Sequence, residues 1–136
     1  MLKTVIDQIA HELESTGIET VYTAFDYIPI EKKGKEIFTV VGIDNFESST
    51  PIYSEVSVFL PFKAEAAISL IAPKDMTMIQ LYDFFDSKVL PAIKNTGSLT
   101  CSLRNLSMKN DSNINRLVLK VKFSVSGISK LERSSI

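Results

Sequence analysis

The sequence predicts a single α+β domain over residues 1–136, in which a mainly antiparallel sheet of five to six strands has two amphipathic helices packed on one face. Three observations indicate this fold. The chain opens with an amphipathic helix, a capping box starts a second helix near the middle, and a long alternating stretch lies near the end. Short polar connections favour antiparallel pairing, and two helices with apolar stripes can cover one sheet face. The predicted order is α-β-β-β-β-α-β-β.

The first helix is predicted over residues 1–16. Apolar residues recur there at helical spacing, at Leu2, Val5, Ile6, Ile9, Ala10 and Leu13. Gly17 follows, and a glycine in the left-handed conformation often ends a helix. Residues 19–30, ETVYTAFDYIPI, are rich in β-branched and aromatic side chains and predict the first strand. Pro29 lacks a ladder donor, so this strand ends there or lies on an edge.

Three further strands are predicted before the second helix. A charged turn at residues 31–35 leads into a strand over residues 36–44, EIFTVVGID. After a polar stretch, residues 52–62, IYSEVSVFLPF, predict the third strand. Residues 64–72, AEAAISLIA, combine helix-favouring and strand-favouring residues. Their short length and the following Pro73 favour a fourth strand.

The second helix is predicted to begin after Thr77. Thr77 and Gln80 form a capping box, in which each side chain satisfies a free backbone donor. Its apolar face continues through Ile79, Tyr82, Phe85, Val89 and Ile93. Pro91 is expected to bend or fray the last turns, and Gly97 is expected to close the helix.

The last two strands are predicted to form a hairpin. In the strand over residues 98–109, the apolar residues move from odd to even positions, which predicts a β-bulge near residues 104–105. A polar loop over residues 110–115 leads into residues 116–128, RLVLKVKFSVSGI, whose alternation predicts a half-buried strand. The remaining tail, residues 129–136, is polar and is predicted to be mobile.

Composition excludes several classes of protein. With 45% hydrophobic and 23% charged residues, the chain has globular rather than disordered character. Its net charge of −1 provides no overall basic field for nucleic acid or anionic membrane. The single cysteine, Cys101, excludes an internal disulfide and fits a reducing compartment. Neither a signal-peptide core nor an apolar run of membrane-spanning length is apparent, so we expect a cytoplasmic protein.

Groups that perform chemistry are scarce in this sequence. Cys101 lies on an apolar strand face, and the single histidine, His11, lies on a mainly polar helix face. Asp83 and Asp86 are spaced to lie together on the solvent side of the second helix rather than in a cleft. There is no zinc motif, calcium loop or phosphate-binding loop. We therefore expect a protein that is not an enzyme and binds no cofactor or metal.

A group of basic residues is the first candidate for a binding surface. Arg104 and Lys109 precede the predicted hairpin loop, and Arg116, Lys120 and Lys122 follow it. Such a group could meet phosphates or an acidic protein partner. Lysines on an exposed strand also prevent edge-to-edge aggregation, which is the simpler interpretation.

Aromatic residues on the predicted strands are the second candidate. They include Tyr22, Tyr27, Tyr53 and Phe59. If the strands alternate as predicted, these four cannot all face one core, and some must lie on the second face of the sheet. That face would pack against another subunit, or Phe38, Phe46 or Phe59 would close a two-sided core. From this group, Tyr53 and Phe59 join the basic residues as a candidate assembly or channel surface.

The whole layout resembles the tail-terminator and tail-completion proteins of long-tailed bacteriophages and prophages. The resemblance rests on the opening helix MLKTVIDQIAHELE with the strand VYTAFDYIPI, on the passage ISLIAPKDMTMIQLYDFFDSKVLPAI, and on the closing hairpin ending in NRLVLKVKFSVSGI. It covers nearly the whole chain and concerns element order rather than a fixed motif. It implies an α+β structural protein of a phage or prophage tail. Such a protein forms a ring, commonly hexameric, that terminates the tail tube and joins it to the head connector.

The resemblance also implies partners and a location. The chain would be a homo-oligomer that contacts tail tube and head connector proteins, with DNA at most passing through its channel and no membrane contact. The turn at residues 31–35, the exposed strand aromatics and the loop at residues 110–115 would make the contacts. The lysines of the last strand would line the channel or meet the next subunit. Assembly would take place in the cytoplasm of a bacterial host, before incorporation into the virion tail.

Two other functions stay open at the level of sequence. One is a small-ligand-binding or enzymatic domain with a pocket between helix and sheet, which Tyr82, Cys101 and Ser102 could line. The other is an adaptor that binds a peptide along an exposed sheet edge.

Overall fold

The computed structural model describes residues 2–18, 21–23, 37–73, 75–94, 97–112 and 116–132. The elements before the second helix are α1 (Leu2–Ser15), β1 (Val21–Thr23), β2 (Phe38–Ser48), β3 (Ile52–Tyr53) and β4 (Ser57–Ile71). The second helix consists of α2 (Met78–Phe84), a π-helical segment (Phe85–Val89) and α3 (Leu90–Lys94). The chain then forms β5 (Thr100–Asp111) and β6 (Arg116–Glu132). The predicted fold class is confirmed, because an α+β domain with this order of elements and a mainly antiparallel six-stranded sheet is observed.

The strands lie in the order β1-β2-β4-β6-β5, and β3 also pairs with β4. β1 pairs with β2 in parallel, and the other pairs are antiparallel. β4 and β6 pair over their whole common length, from Ser57 opposite Glu132 to Ile71 opposite Val118. β5 accompanies β6 only as far as Ser126. The sheet therefore narrows at one end, where β3 and the ends of β4 and β6 form an extension.

Both helices pack on one face of the sheet. Val5, Ile9 and Leu13 of α1 share a continuous core with buried residues of the second helix and with the inward-facing residues of β2, β4 and β6. In β6 the predicted alternation is confirmed, since the odd-numbered apolar residues Leu119, Val121, Phe123 and Val125 are at most 1% exposed. Full burial of one such side chain contributes about 1.5–3 kcal/mol, so this strand is a main source of stability.

The opposite face of the sheet, which we call the free face, is apolar at one end. Phe38, Ile71 and Val118 form a second buried cluster there, with Tyr22 and Val40 packed against it. The rings of Tyr22 and Phe38 meet edge to face, with centroids 6.1 Å apart. The two-sided core that the aromatic residues suggested is therefore present at this end of the sheet.

The second helix begins as predicted and departs from regular geometry before Pro91. The Gln80 backbone N–H donates to Thr77 Oγ1, and the Thr77 N–H donates to Gln80 Oε1, so the capping box is confirmed. Near the end the Leu90 N–H donates to the Phe85 carbonyl, five residues earlier. Because proline has no N–H and its ring crowds the carbonyl four residues earlier, a widened turn relieves the conflict. Gly97 follows with a φ of +66°, as a left-handed helix end requires.

The predicted third and fourth strands have different boundaries in the structure. The chain reverses at residues 54–56, where the Ser54 N–H donates to the Ser57 carbonyl oxygen and the Ser57 N–H donates to Ser54 Oγ. β4 then continues without interruption through Pro61 to Ile71. A single strand over residues 52–62 would place Tyr53 and Phe59 on the same face, and this is wrong: Phe59 pairs with Ile52 and Tyr53 pairs with Val58, so the two aromatic residues point to opposite faces.

Other predicted boundaries shift by a few residues. The predicted bulge is confirmed between Leu103 and Asn105 of β5. β6 runs to Glu132, so residues 129–132 of the predicted tail belong to a strand. They pair with residues 57–60 at the start of β4. The turn at residues 31–35 and the larger part of the first predicted strand lie outside the described residues, as do residues 113–115 of the hairpin loop and residues 133–136.

Thr16 ties the end of α1 to the second helix. Its Oγ1 lies 2.8 Å from the Leu13 carbonyl oxygen and 2.7 Å from that of Lys88, and Lys88 Nζ donates back to the Thr16 carbonyl. Replacing Thr16 with Val keeps the shape and removes the donor, so we expect the free energy of unfolding to fall by about 1 kcal/mol. Urea denaturation followed by circular dichroism measures this. The control is Ser15→Ala, which removes an exposed hydroxyl and is expected to cost less than about 0.5 kcal/mol. Equal losses for the two variants would contradict the role of this contact.

Candidate assembly surface

Two β-bulges lie on one row across the sheet. In β2, Asp44 is the extra residue between Ile43, which pairs with Ala66, and Asn45, which pairs with Glu65. In β5 the extra residue is Arg104. Its neighbours Leu103 and Asn105 pair with Phe123 and Lys122 of β6. Because Ala66 of β4 pairs directly with Phe123, both strands that flank the central pair are bulged at the same level.

A groove opens at this row. It has a volume of about 390 Å³ and is lined by Asp44, Glu65, Ala66, Arg104, Asn105, Lys122 and Phe123. Bulges bend a strand and increase its local twist, and an extra residue re-aims its own side chain. The paired bulges thus explain why a groove with four charged side chains forms in the middle of a continuous sheet.

The groove has an acidic side and a basic side. Asp44 and Glu65 come from β2 and β4, whereas Lys122 and Arg104 come from β6 and β5, and all four are exposed. The Arg104 Nε donates to Ser124 Oγ over 3.3 Å. Within the part of the chain that the structure describes, no ion pair of 4.0 Å or less joins Asp44 or Glu65 to Lys122 or Arg104. The groove therefore presents uncompensated charges of both signs.

Most of the basic candidates predicted from sequence share the free face. The register places Lys122 opposite Asn105, Lys120 opposite Ser107 and Lys109 opposite Val118. Lys109 and Lys122 are exposed, and Lys120 is half-buried.

Arg116 does not belong to the exposed basic group. It follows the same alternation along β6, but it is only 4% exposed, near the buried cluster of the free face. The predicted exposure of Arg116 is therefore wrong, because the free face is buried at this end, where Phe38, Ile71 and Val118 are at most 8% exposed.

The extension of the sheet exposes several large apolar side chains. They are Ile52, Tyr53, Val56, Ile128 and Leu131, which are between 44% and 69% exposed, and we call them the apolar tip. Phe59 is half-buried beside the tip, with Lys130 Nζ lying 5.9 Å from its ring centroid. Cation–π contact of this kind contributes about 0.5–1 kcal/mol at an exposed site.

Sequence reasoning missed the acidic side of the groove and every residue of the apolar tip except Tyr53. A signal for the β2 bulge exists, because the inward apolar residues change from odd positions, Val41 and Ile43, to an even one, Phe46. The strand was predicted to end at Asp44, before the change is visible. Leu131 likewise continues the odd-numbered apolar phase of β6 beyond the predicted end of that strand.

The described residues bring no chemically reactive side chains together. Among the residues that the structure describes, no three His, Cys, Asp or Glu side chains are grouped so that they could hold a metal ion. His11 is exposed on α1, and Cys101 is half-buried against the core. Cys101 and Ser102 follow each other in β5 and so point to opposite faces, which separates two of the residues proposed to line a helix–sheet pocket. The third, Tyr82, is exposed.

No described helix combines the length and the apolar character that crossing a bilayer requires. The described part of the chain is an α+β fold whose surface carries a charged groove and an exposed apolar tip.

Comparisons with known proteins identify a solved structure that shares this fold. No family model and no curated protein sequence matches the chain. Among solved structures, the chain is similar to the sheath/tube terminator of the extracellular contractile injection system PVC in its extended state, with a TM-score of 0.59 and 10% sequence identity. The match covers 98% of this chain and 58% of the terminator, so the chain spans little more than half of that protein's length. The two share a fold, in agreement with the fold that the tail-terminator resemblance implies.

Two structures of PilO from Pseudomonas aeruginosa are more distant. The type 4 fimbrial biogenesis protein matches with a TM-score of 0.31 and 6% identity, over 97% of this chain and 69% of PilO. Its core region from the type IV pilus system matches with a TM-score of 0.25 and 8% identity, over 65% of this chain and 76% of that chain. TM-scores this low do not indicate a shared fold.

Proposed function

We propose that this chain is a structural component of a phage-tail-like assembly, in which several copies form a ring that terminates the tube. The observation that carries the proposal is the fold shared with a sheath/tube terminator over 98% of this chain. The proposed role is structural rather than enzymatic.

The exposed surface supports a role in assembly. The apolar tip places five large apolar side chains on a narrow sheet extension. Exposed apolar patches of this kind often mark sites of protein–protein contact. The groove on the free face adds charges of both signs that have no ion-pair partner among the described residues. A protein that acts through contact with other subunits needs such surfaces and no reactive centre.

The finer features of the proposal come from the family resemblance. We propose a homo-oligomeric ring, commonly hexameric in that family, that binds the end of the tail tube. Attachment to a head connector, passage of DNA through the channel, and assembly in a bacterial cytoplasm belong to the same proposal. Tyr53 and Phe59 at the extension, and Arg104, Lys109, Lys120 and Lys122 on the free face, are the proposed assembly residues.

The mass of the chain in solution tests the proposal. We expect light scattering over a range of concentrations to show a mass that rises towards about six times the 15.1 kDa of one chain. Negative-stain electron microscopy of the same sample is expected to show closed rings with a central opening. A mass of one chain at every concentration, with no rings, would contradict self-assembly into a ring.

An adaptor that binds a peptide at a sheet edge is the second candidate function. One observation favours it, since β6 has no β5 partner beyond Ser126, which leaves the outer edge of residues 127–132 open among the described strands. Such an edge can accept an extended peptide as an additional strand. A strictly monomeric chain in the light-scattering experiment would favour this candidate over the ring.

A further inference from the structure

We infer that the free face of the sheet is the contact between neighbouring copies of this chain, with the acidic half of one copy against the basic half of the next. The inference rests on the proposed ring and names the interface that would build it. The acidic half is the part of the free face on β2 and β4, and the basic half is the part on β6 and β5.

The order of the strands separates the two signs of charge. The net charge of the acidic half comes from Asp44 and Glu65. Glu47 also lies in this half, but Lys63 lies directly opposite it, and the charges of these two residues cancel. The basic half is formed by Arg104, Lys109, Lys120 and Lys122. Because strands lie about 4.8 Å apart, the backbones at the two bulges are separated by three spacings, or about 14 Å. The free face thus carries negative charge on one half and positive charge on the other, a short distance apart.

These charges are not neutralised within the chain. Glu65 pairs with Ser124, which makes Lys122 its diagonal neighbour, within reach of a long side chain. Even so, no ion pair joins them or the other groove residues in the described part of the chain. The groove between the two halves has a volume of about 390 Å³. Pockets of this size accommodate ligands of many atoms, so side chains of a neighbouring copy can enter.

A second copy fits this surface better than nucleic acid does. Nucleic acid requires a basic surface, and the acidic side of the groove would repel phosphates. A second copy brings the same two halves, so acid can meet base at every contact without any other partner. Because both halves lie on one face, two copies related by a twofold axis bring acid against base at both halves at once, and the ring would be built from such pairs.

Reversing the sign of the charges on one half of the free face at a time tests the interface. The acid-reversed variant is Asp44→Lys with Glu65→Lys, and the base-reversed variant is Arg104→Glu with Lys122→Glu. Each variant alone presents like charges across the contact, so we expect its dissociation constant for self-association to rise about 100-fold or more. An equimolar mixture restores opposite charges and is expected to associate about as strongly as the wild type. Light scattering in 0.15 M salt measures all three.

A control matched to the acid-reversed variant makes the same change of net charge at another site. Asp83→Lys with Asp86→Lys alters two exposed carboxylates of the second helix. We expect the control to assemble like the wild type. Circular dichroism of every variant confirms that it is folded, since exposed charges contribute little to stability.

The outcomes separate this inference from the proposed ring. If the wild type forms rings and both reversed variants form them too, the free face is not the contact between copies, and the inference is wrong while the proposed ring stands. If the equimolar mixture associates but forms only a closed dimer, the result supports the free face as the contact between copies and contradicts the proposed ring. If the mixture of folded variants fails to associate, or the wild type stays monomeric, the inference is wrong.

Discussion

Replacing Phe123 with Ser is expected to lower the free energy of unfolding by about 4 kcal/mol. Phe123 is 1% exposed and lies on the central row of the sheet, between Ala66 of β4 and Leu103 of β5. The shorter side chain leaves a cavity beneath the helices and places a hydroxyl in an apolar core. Urea denaturation followed by circular dichroism measures the loss, at a protein concentration low enough to avoid self-association.

The control for Phe123 is its neighbour. Lys122 is exposed on the free face, and its replacement with Ser is expected to change the free energy of unfolding by less than about 0.5 kcal/mol. A larger loss for Lys122→Ser than for Phe123→Ser would show that the two faces of β6 are assigned the wrong way round.

Replacing Gly127 with Val is expected to cost about 2 kcal/mol of stability, because the space beside this glycine is filled. A Cβ atom at Gly127 would lie 2.9 Å from Leu99 Cδ2 and 3.0 Å from Phe62 Cζ. The Leu99 side chain can turn away, but the Phe62 ring stacks on Phe46 with centroids 5.8 Å apart, so its movement disturbs a second ring. Thermal unfolding followed by circular dichroism measures the effect.

The same substitution one residue earlier is the control. Ser126 is half-buried and points to the free face, where valine suits an extended strand. We expect Ser126→Val to change stability by less than about 0.5 kcal/mol. Two variants of equal stability would indicate that the Phe62 ring yields without cost, which would contradict the close packing of the sheet extension.

The features that sequence predicted best depend on residues close together in the chain. The capping box of Thr77 and Gln80 needs only two side chains and the adjacent backbone, so three residues of spacing identify it. The bulge at Arg104 is visible because a strand with a buried face cannot change its apolar phase without an extra residue.

The reversal at residues 54–56 shows where such reasoning fails. Apolar residues continue on both sides of the turn, so the alternation of residues 52–62 resembles one strand. The turn itself depends on hydrogen bonds between Ser54 and Ser57, a pair that is compatible with either conformation in isolation. Pairing of Ile52 with Phe59 across the turn selects the hairpin, and that contact is not readable from local pattern.

By itself the sequence determined the two helices with their ends, the presence of several strands and the buried face of β6. These features depend on residues close in the chain and on the spacing of apolar residues. Only the tertiary structure decided the order β1-β2-β4-β6-β5 and the register between strands. Those two properties place Asp44 and Glu65 on one half of the free face, Arg104 and Lys122 on the other, and Arg116 out of solvent. The physical reason is that strand order follows from contacts between residues far apart in the chain, where many pairings satisfy the same alternation.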